Sequence, residues 1–312
     1  MVAILFSCNK ESISETEQFQ EAITTDSTTE LDLRAPTFPD PIIIGDENTG
    51  CVANIIFLAE GFTESQMSEF RDLCDIAKQA ILDVAPYSYV TDHLNFYRVE
   101  SPSRTSGIRS IAFTSRCGTP TGSNTSSRTA WSVYSNRVGL ERYVGMKSAM
   151  RDYLEDLYGG YATGDYAYTI IIANTTEYFG GAEFPGVTEY NTIANPKVSN
   201  MIVSKYLSGA YFKFLVRHEF GHSFGNMDDE YIDPDTNCAI NSYEPWFLPP
   251  TPKLNIRTYA SSGWVEGGRY VPTGYWREWE NSIMNNDYFS TTLSPIQEAI
   301  VKKRLSVAIG CH

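Results

Sequence analysis

His218 and His222 stand four residues apart in HEFGHSFGNMDDEY, the stretch that runs from His218 to Tyr231. On a helix that spacing puts both imidazoles on one face, one turn apart. A single divalent ion can then take a nitrogen from each. Glu219 lies about 100° round the helix from His218, where it reaches a water beside the ion without becoming a ligand. H-E-x-x-H therefore reads as two metal ligands and a general base, a pattern of zinc-dependent hydrolysis. The chain has 4 His, and two of them fall in this motif, which disfavours a core helix with incidental histidines.

A catalytic zinc keeps three protein ligands and one open position, so a third ligand is required. Gly225, three residues beyond His222, can take the left-handed conformation that ends a helix and reverses the chain. Asp228 follows after three more, giving H-E-x-x-H-x-x-G-x-x-D, the metzincin arrangement with Asp where most members carry His. The spacing thus nominates Asp228 as third ligand, with Asp229 and Glu230 as supporting partners. Glu244 is the thermolysin-like alternative, but DPDTNCAINSYEP reads as turn rather than helix. Ser282-Ile283-Met284, about 60 residues past His222, fits the methionine-containing turn that underlies metzincin zinc sites. Two residues after Met284, where some metzincins place a Tyr that assists the transition state, stands Asn286. Tyr231 and Tyr288 are the tyrosines nearest the motifs.

The motif needs a rigid helix, and the pattern supplies one from about residue 208 to 224. Tyr211 and Leu215 continue the histidine face, and Phe212, Val216, Phe220 and Phe224 form a neighbouring apolar stripe. A buried helix holds both imidazoles in place. Upstream, Asn54–Phe62 and Tyr166–Thr176 are continuous apolar runs suited to buried strands, and Leu94–Ser101 is a third. Thr63 and Gln66 form a capping box before a helix with apolar residues from Met67 to Val84, stopped by Pro86. Residues 102–130 read as a long loop, and 139–160 as a helix closed by Gly159-Gly160. A final helix spans about Pro295–Val307. Strands alternating with helices predict an α/β sheet with helices packed on it, followed by an irregular region after Tyr231. No internal repeat is present.

The chain carries Lys+Arg 24 against Asp+Glu 38, a net charge of -14. Such a surface repels phosphate backbones and anionic lipid, which excludes nucleic-acid binding and electrostatic membrane docking. Val2–Phe6 is a short apolar run ending in Leu5-Phe6-Ser7-Cys8, which resembles a bacterial lipobox. Residues 1–8 then read as a truncated lipoprotein signal with Cys8 lipidated, and polar residues 9–40 as a disordered spacer. Lipidation would tether the protein without spanning the membrane. The other five cysteines lack C-x-x-C spacing, and export would permit a disulfide of unspecified pairing. Asp233–Glu244 offers oxygens at EF-hand spacing, but Cys238 stands where Gly is required, so a calcium site there is weakly supported.

Beyond the motif, five segments resemble the IgA peptidase M64 family. They are LAEGFTESQMSEF, FYRVESPSRTSGI, IIIANTTEYFGGAE, RHEFGHSFGNMDDEY, and EGGRY through GYWREWENSIM to SPIQEAI. They lie in order across about residues 52–302. The resemblance implies one metzincin-like α/β domain over 41–312, with an upper part (about 41–225) and a lower part (about 226–312) carrying the methionine turn. It implies one catalytic Zn²⁺ at His218, His222 and Asp228, Glu219 activating a zinc-bound water, and a protein or peptide substrate. Many members are secreted bacterial proteins, which agrees with an exported chain anchored at the cell envelope. A non-catalytic zinc-containing surface lipoprotein and a zinc amidase on cell-wall peptides are the competing readings. Oligomeric state and substrate sequence are not legible.

Overall fold

A run that is apolar at nearly every position needs cover on both of its faces. Ala53–Glu60 (β2) finds it inside a six-stranded sheet, where every residue of the strand is buried. The computed structural model describes residues 38–113, 120–124, 129–131, 133–138, 141–146, 148–162, 166–177, 180–183, 198–206, 209–232, 251–285 and 290–309. Residues 38–312 group as one unit.

The strands before the motif are β1 (Ile42–Ile43), β2, β3 (Leu94–Val99), β4 (Ser110–Phe113), β5 (Pro120–Asn124), β6 (Val133–Val138) and β7 (Glu141–Met146). They continue as β8 (Ala167–Ala173), β9 (Gly180–Glu183) and β10 (Val198–Ser204). After it come β11 (Ile256–Arg257), β12 (Val265–Gly268) and β13 (Val271–Arg277). The large sheet has the order β1-β3-β2-β8-β10-β9. Its four central strands are parallel, and β1 and β9 run antiparallel at the two ends, so the sheet is mixed. Helices are α1 (Met67–Leu82), α2 (Ser148–Tyr158), α3 (Ala210–Ser223) and α4 (Pro295–Ala308).

Alternation along the strands divides the interior into two cores. Ile55, Phe57 and Ala59 of β2 join Tyr168, Ile170 and Ile172 of β8 beneath α1, α3 and α4. The intervening Ile56, Leu58 and Ile171 face Trp131, Leu154 and Tyr158 on the other side. The expected strands and the helices at 67, 210 and 295 are present. The Thr63 N–H donates to Gln66 Oε1 at 3.1 Å, as the capping box requires.

Three local expectations differ. Residues 141–146 form a strand paired with β6, and the helix starts only at Ser148. Tyr143 and Val144 are β-formers, and pairing with β6 outweighed the helical periodicity read across 139–160. The loop 102–130 contains the β4–β5 hairpin. Phe38, within the expected spacer, stacks on Trp131 with ring centroids 4.0 Å apart. Cys51 is disulfide-bonded and Cys74 is a buried free thiol; the remaining cysteines lie outside the described residues.

At the C-terminal end of β2, Glu60 is fully buried and accepts the N–H groups of Trp131 and Val133 at 2.7 and 2.8 Å. Ser103 Oγ adds the N–H groups of Gly61 and Ala130, each at 3.0 Å. These bonds fasten the loops to the sheet. Burial raises the Glu60 carboxyl from 4.5 to about 7 despite the backbone donors. The folded state therefore holds a proton that the unfolded chain has already lost between those values. Stability contributed by Glu60 should fall as pH rises from 4.5 to about 7, by about 3 kcal/mol at roughly 1.4 kcal/mol per unit. Urea unfolding at pH 5 and pH 7.5 should show that decline shrinking in Glu60→Gln; an unchanged decline would refute the assignment.

Candidate metal centre

Helix α3 is buried on most of its circumference, because Phe212, Leu215, Val216, Phe220 and Phe224 enter the core against β8 and β10. Tyr211, at its start, is 39% exposed and contributes no such packing. His218 Nδ1 donates to the Ile283 carbonyl at 2.9 Å, and His222 Nδ1 to the Met227 carbonyl at 2.6 Å. A carbonyl only accepts, so each Nδ1 carries the hydrogen and a neutral ring presents its lone pair at Nε2. The two Nε2 atoms stand 3.3 Å apart. Asp229 Oδ1 lies 2.7 Å from the first and 3.2 Å from the second.

Three electron-rich atoms thus face one another inside the protein. Without a proton or a cation between them the arrangement is strongly repulsive. The metal-free electrostatics show the demand. Burial alone would push His222 down, but the Asp229 carboxylate outweighs it and lifts the imidazole to about 10. His218 is raised by the same neighbour against the same burial. Burial would raise Asp229, yet the two imidazoles hold it well below the usual carboxylate range. Two imidazole nitrogens and one carboxylate oxygen are the donor types zinc takes, so the residues fit a zinc ion. Among the described residues His218, His222 and Asp229 form the cluster able to hold a metal.

Asp228, which the motif spacing nominated, is not at the histidines. The helix does not reverse at Gly225. Gly225 N–H still bonds Gly221 O at 3.1 Å and Asn226 N–H bonds His222 O at 3.0 Å. The left-handed residue is Asn226, with φ 52°, a conformation Asn tolerates. Reversal one residue later advances the register by one and brings Asp229 back beneath the imidazoles. Gly225 serves close approach instead, since a Cβ there would lie 2.7 Å from both the Gly221 carbonyl and the Met227 methyl. Asp228 turns away, accepting the Lys253 N–H at 2.8 Å and facing Arg269 Nη1 at 3.7 Å.

The supporting residues separate by role. Glu230 is fully buried and accepts from Asn255 Nδ2 at 3.1 Å and Ser282 Oγ at 2.8 Å, while its N–H meets the Met284 carbonyl at 2.8 Å. It fixes the 282–285 turn that supplies the Ile283 carbonyl to His218. Met284 is buried with its sulfur against Gly221, where a Cβ would overlap it. The Tyr231 ring packs between His218 and Tyr270, with centroids 5.9 and 4.9 Å away. Glu219 is buried, its carboxylate pressed against Gly180 of β9, and burial raises its pKa. Glu244, Asn286, Tyr288, the Asp233–Glu244 loop and Cys8 lie outside the described residues. Sequence reasoning missed Tyr270, whose hydroxyl donates to Asp229 Oδ2, and Gly180. No spacing signal marks either.

The sequence model for IgA Peptidase M64 matches residues 46–288, most of the chain and all of this centre. The chain belongs to the IgA peptidase M64 family. Among solved structures, metalloproteinase-II from Bacteroides fragilis matches this M64 chain at 13% identity with a TM-score of 0.35. The match covers 87% of this chain and 58% of that one, so the M64 chain spans little more than half of that protein's length. No curated protein matches it.

In the metal-free protein, a raised histidine pKa contributes stability that is complete below about 6.5 and lost as pH rises through about 10. Proton NMR of the imidazole Cε1–H should find His222 still charged at pH 8.5, and neutral at that pH in Asp229→Asn. A neutral His222 in the unsubstituted protein at pH 8.5 would contradict the geometry.

Proposed function

We propose that this M64 chain is a zinc-dependent endopeptidase whose ion is held by His218, His222 and Asp229 and whose general base is Glu219. The observation that carries the reading is the convergence of two Nε2 lone pairs and Asp229 Oδ1, with a second buried carboxylate beside them. Their separations of 2.7–3.3 Å approach the roughly 3.3 Å expected between tetrahedral ligands held about 2.0–2.1 Å from zinc. A zinc ion there supplies Lewis acidity, lowering the pKa of a water and polarising a peptide carbonyl.

The chain's own residues supply the rest. Burial makes Glu219 a stronger base than an exposed glutamate. It takes the proton of the attacking water and returns it to the departing amine. Gly180 leaves room for that carboxylate at the sheet edge. β9 is paired with β10 on one side, and among the described residues no strand pairs with its other side. An extended peptide can add there as a further strand, its scissile bond delivered to Glu219. Part of the wall expected around GGAEFPGV and YNTIAN lies outside the described residues. Met284 beneath the helix and the Ile283 carbonyl bonded to His218 support reading Ser282–Asn285 as a methionine turn of the metzincin kind. The lipobox-like Leu5–Cys8 supports export with a lipid anchor at Cys8, and the disulfide at Cys51 is consistent with an oxidising compartment. Among the described residues no helix is long and apolar enough to cross a membrane.

Glu219→Gln should retain one zinc per chain by metal analysis and lose about 10²- to 10⁴-fold in cleavage of an unfolded protein substrate. Full turnover in that variant would defeat the proposal. Gly180→Ala should displace the Glu219 carboxylate, lowering kcat at least about tenfold while zinc content and melting temperature hold; unchanged kcat would remove Gly180 from the account.

A further inference from the structure

The two aspartates of Asn226-Met227-Asp228-Asp229 are adjacent and both buried, yet they meet different partners. What separates them is the tip of the β12–β13 hairpin. Four consecutive residues there have positive φ: Gly267 at 108°, Gly268 at 153°, Arg269 at 52° and Tyr270 at 72°. Two of the four are non-glycine, in a region L-residues visit rarely. Such conformations persist where surrounding contacts over-determine them, and they cluster at functional sites.

The contacts are specific. Arg269 N–H bonds the Asp229 carbonyl at 2.9 Å, and Tyr270 N–H bonds the Tyr231 carbonyl at 3.0 Å. The tip therefore runs alongside the ligand segment, and Tyr270 forms a parallel bridge with Ile232. In this register the fully buried Arg269 guanidinium faces Asp228 Oδ2, and the Tyr270 hydroxyl donates to Asp229 Oδ2. Gly267 is required beneath the tip, because a Cβ would overlap the Ile232 side chain. Tyr231, lying edge-on to Tyr270 at 4.9 Å, closes the remaining space around the phenol.

We propose that Tyr270 is the positioning residue of the metal centre, and that the Gly267–Tyr270 tip sorts the two aspartates. Arg269 keeps Asp228 out of the centre. Tyr270 occupies Asp229 Oδ2, so that Oδ1 alone faces the two histidines and the carboxylate cannot rotate or chelate through both oxygens. The inference rests on the reading of His218, His222 and Asp229 as ligands. It goes further by assigning ligand orientation to a hairpin about 40 residues away in sequence.

The test compares the full chain with Tyr270→Phe, Asp229→Ala and the double variant. Zinc affinity is measured by chelator competition, and the visible spectrum is recorded with cobalt(II) in place of zinc. Tyr270→Phe should weaken zinc binding by about 10–100-fold, the usual effect of losing an outer-sphere partner, and shift the cobalt bands. In the Asp229→Ala background the same substitution should cost less than about twofold, because Tyr270 acts through Asp229. Wild-type zinc affinity with an unchanged cobalt spectrum in Tyr270→Phe would overturn the proposal. So would an equal loss in both backgrounds. Should Tyr270→Phe lower the metal-free melting temperature, 3-fluorotyrosine at position 270 preserves the hydroxyl. Its ¹⁹F resonance should move on zinc addition, and a stationary resonance would overturn the idea. Asp229→Ala binding zinc as tightly as wild type would instead overturn the ligand set itself, a result distinct from failure of the Tyr270 assignment.

Discussion

Three lone pairs converging in a buried space are the constraint around which the segments after the histidine helix are arranged. Left to relax, His218, His222 and Asp229 would rotate apart or draw in water. Their distances persist because every other polar atom they carry is committed elsewhere. Each Nδ1–H is taken by a carbonyl, one from Ile283 and one from Met227, and Asp229 Oδ2 is taken by Tyr270. The carbonyls are fixed in turn. Glu230 ties the 282–285 turn to the segment that carries Asp229, and Gln297 of α4 bonds Ser282 at 3.1 Å. A cluster that repels itself without a proton or a cation is thus held in place by neighbours that are themselves fixed by hydrogen bonds.

Part of this was written plainly in the sequence. The His218–His222 spacing follows from the helical repeat alone, and the apolar stripe of α3 from the need to bury it, so both could be read without a structure. Which aspartate comes back to the histidines depends on which residue takes φ > 0 at the helix end. Glycine is the default candidate, and here it is passed over: Gly225 is needed for its missing side chain, and Asn226 makes the turn. A single-residue shift in that choice exchanges Asp228 for Asp229. No local propensity could have decided it, because the contacts that favour the observed register come from Lys253, Asn255 and Arg269, on distant segments.

The fold shows the same division. Runs such as NIIFLAE and YTIIIA are buried on both faces, which leaves a parallel strand as the main way to satisfy their backbones, and they are strands. Residues 141–146 carry a mixed signal and were claimed by pairing with β6, a partner that local sequence does not reveal. The region after Tyr231 read as irregular because part of its order comes from the β12–β13 hairpin with its positive-φ tip, which leaves little periodicity.

The placement of Glu219 joins the histidine helix to the edge of the sheet. Its helix position follows from the motif, but its surroundings are set by β9, where Gly180 gives the carboxylate a slot at the sheet edge. A side chain at that position would force either the strand or the base to move. On the proposed function, the geometry couples the edge on which an extended chain would pair to the group that would handle its protons. A peptide added to β9 in the proposed way would also cover Glu219 from water, and a carboxylate covered in that way becomes a stronger base. On this view substrate pairing and base activation are one event, and the glycine at the edge is what allows them to coincide.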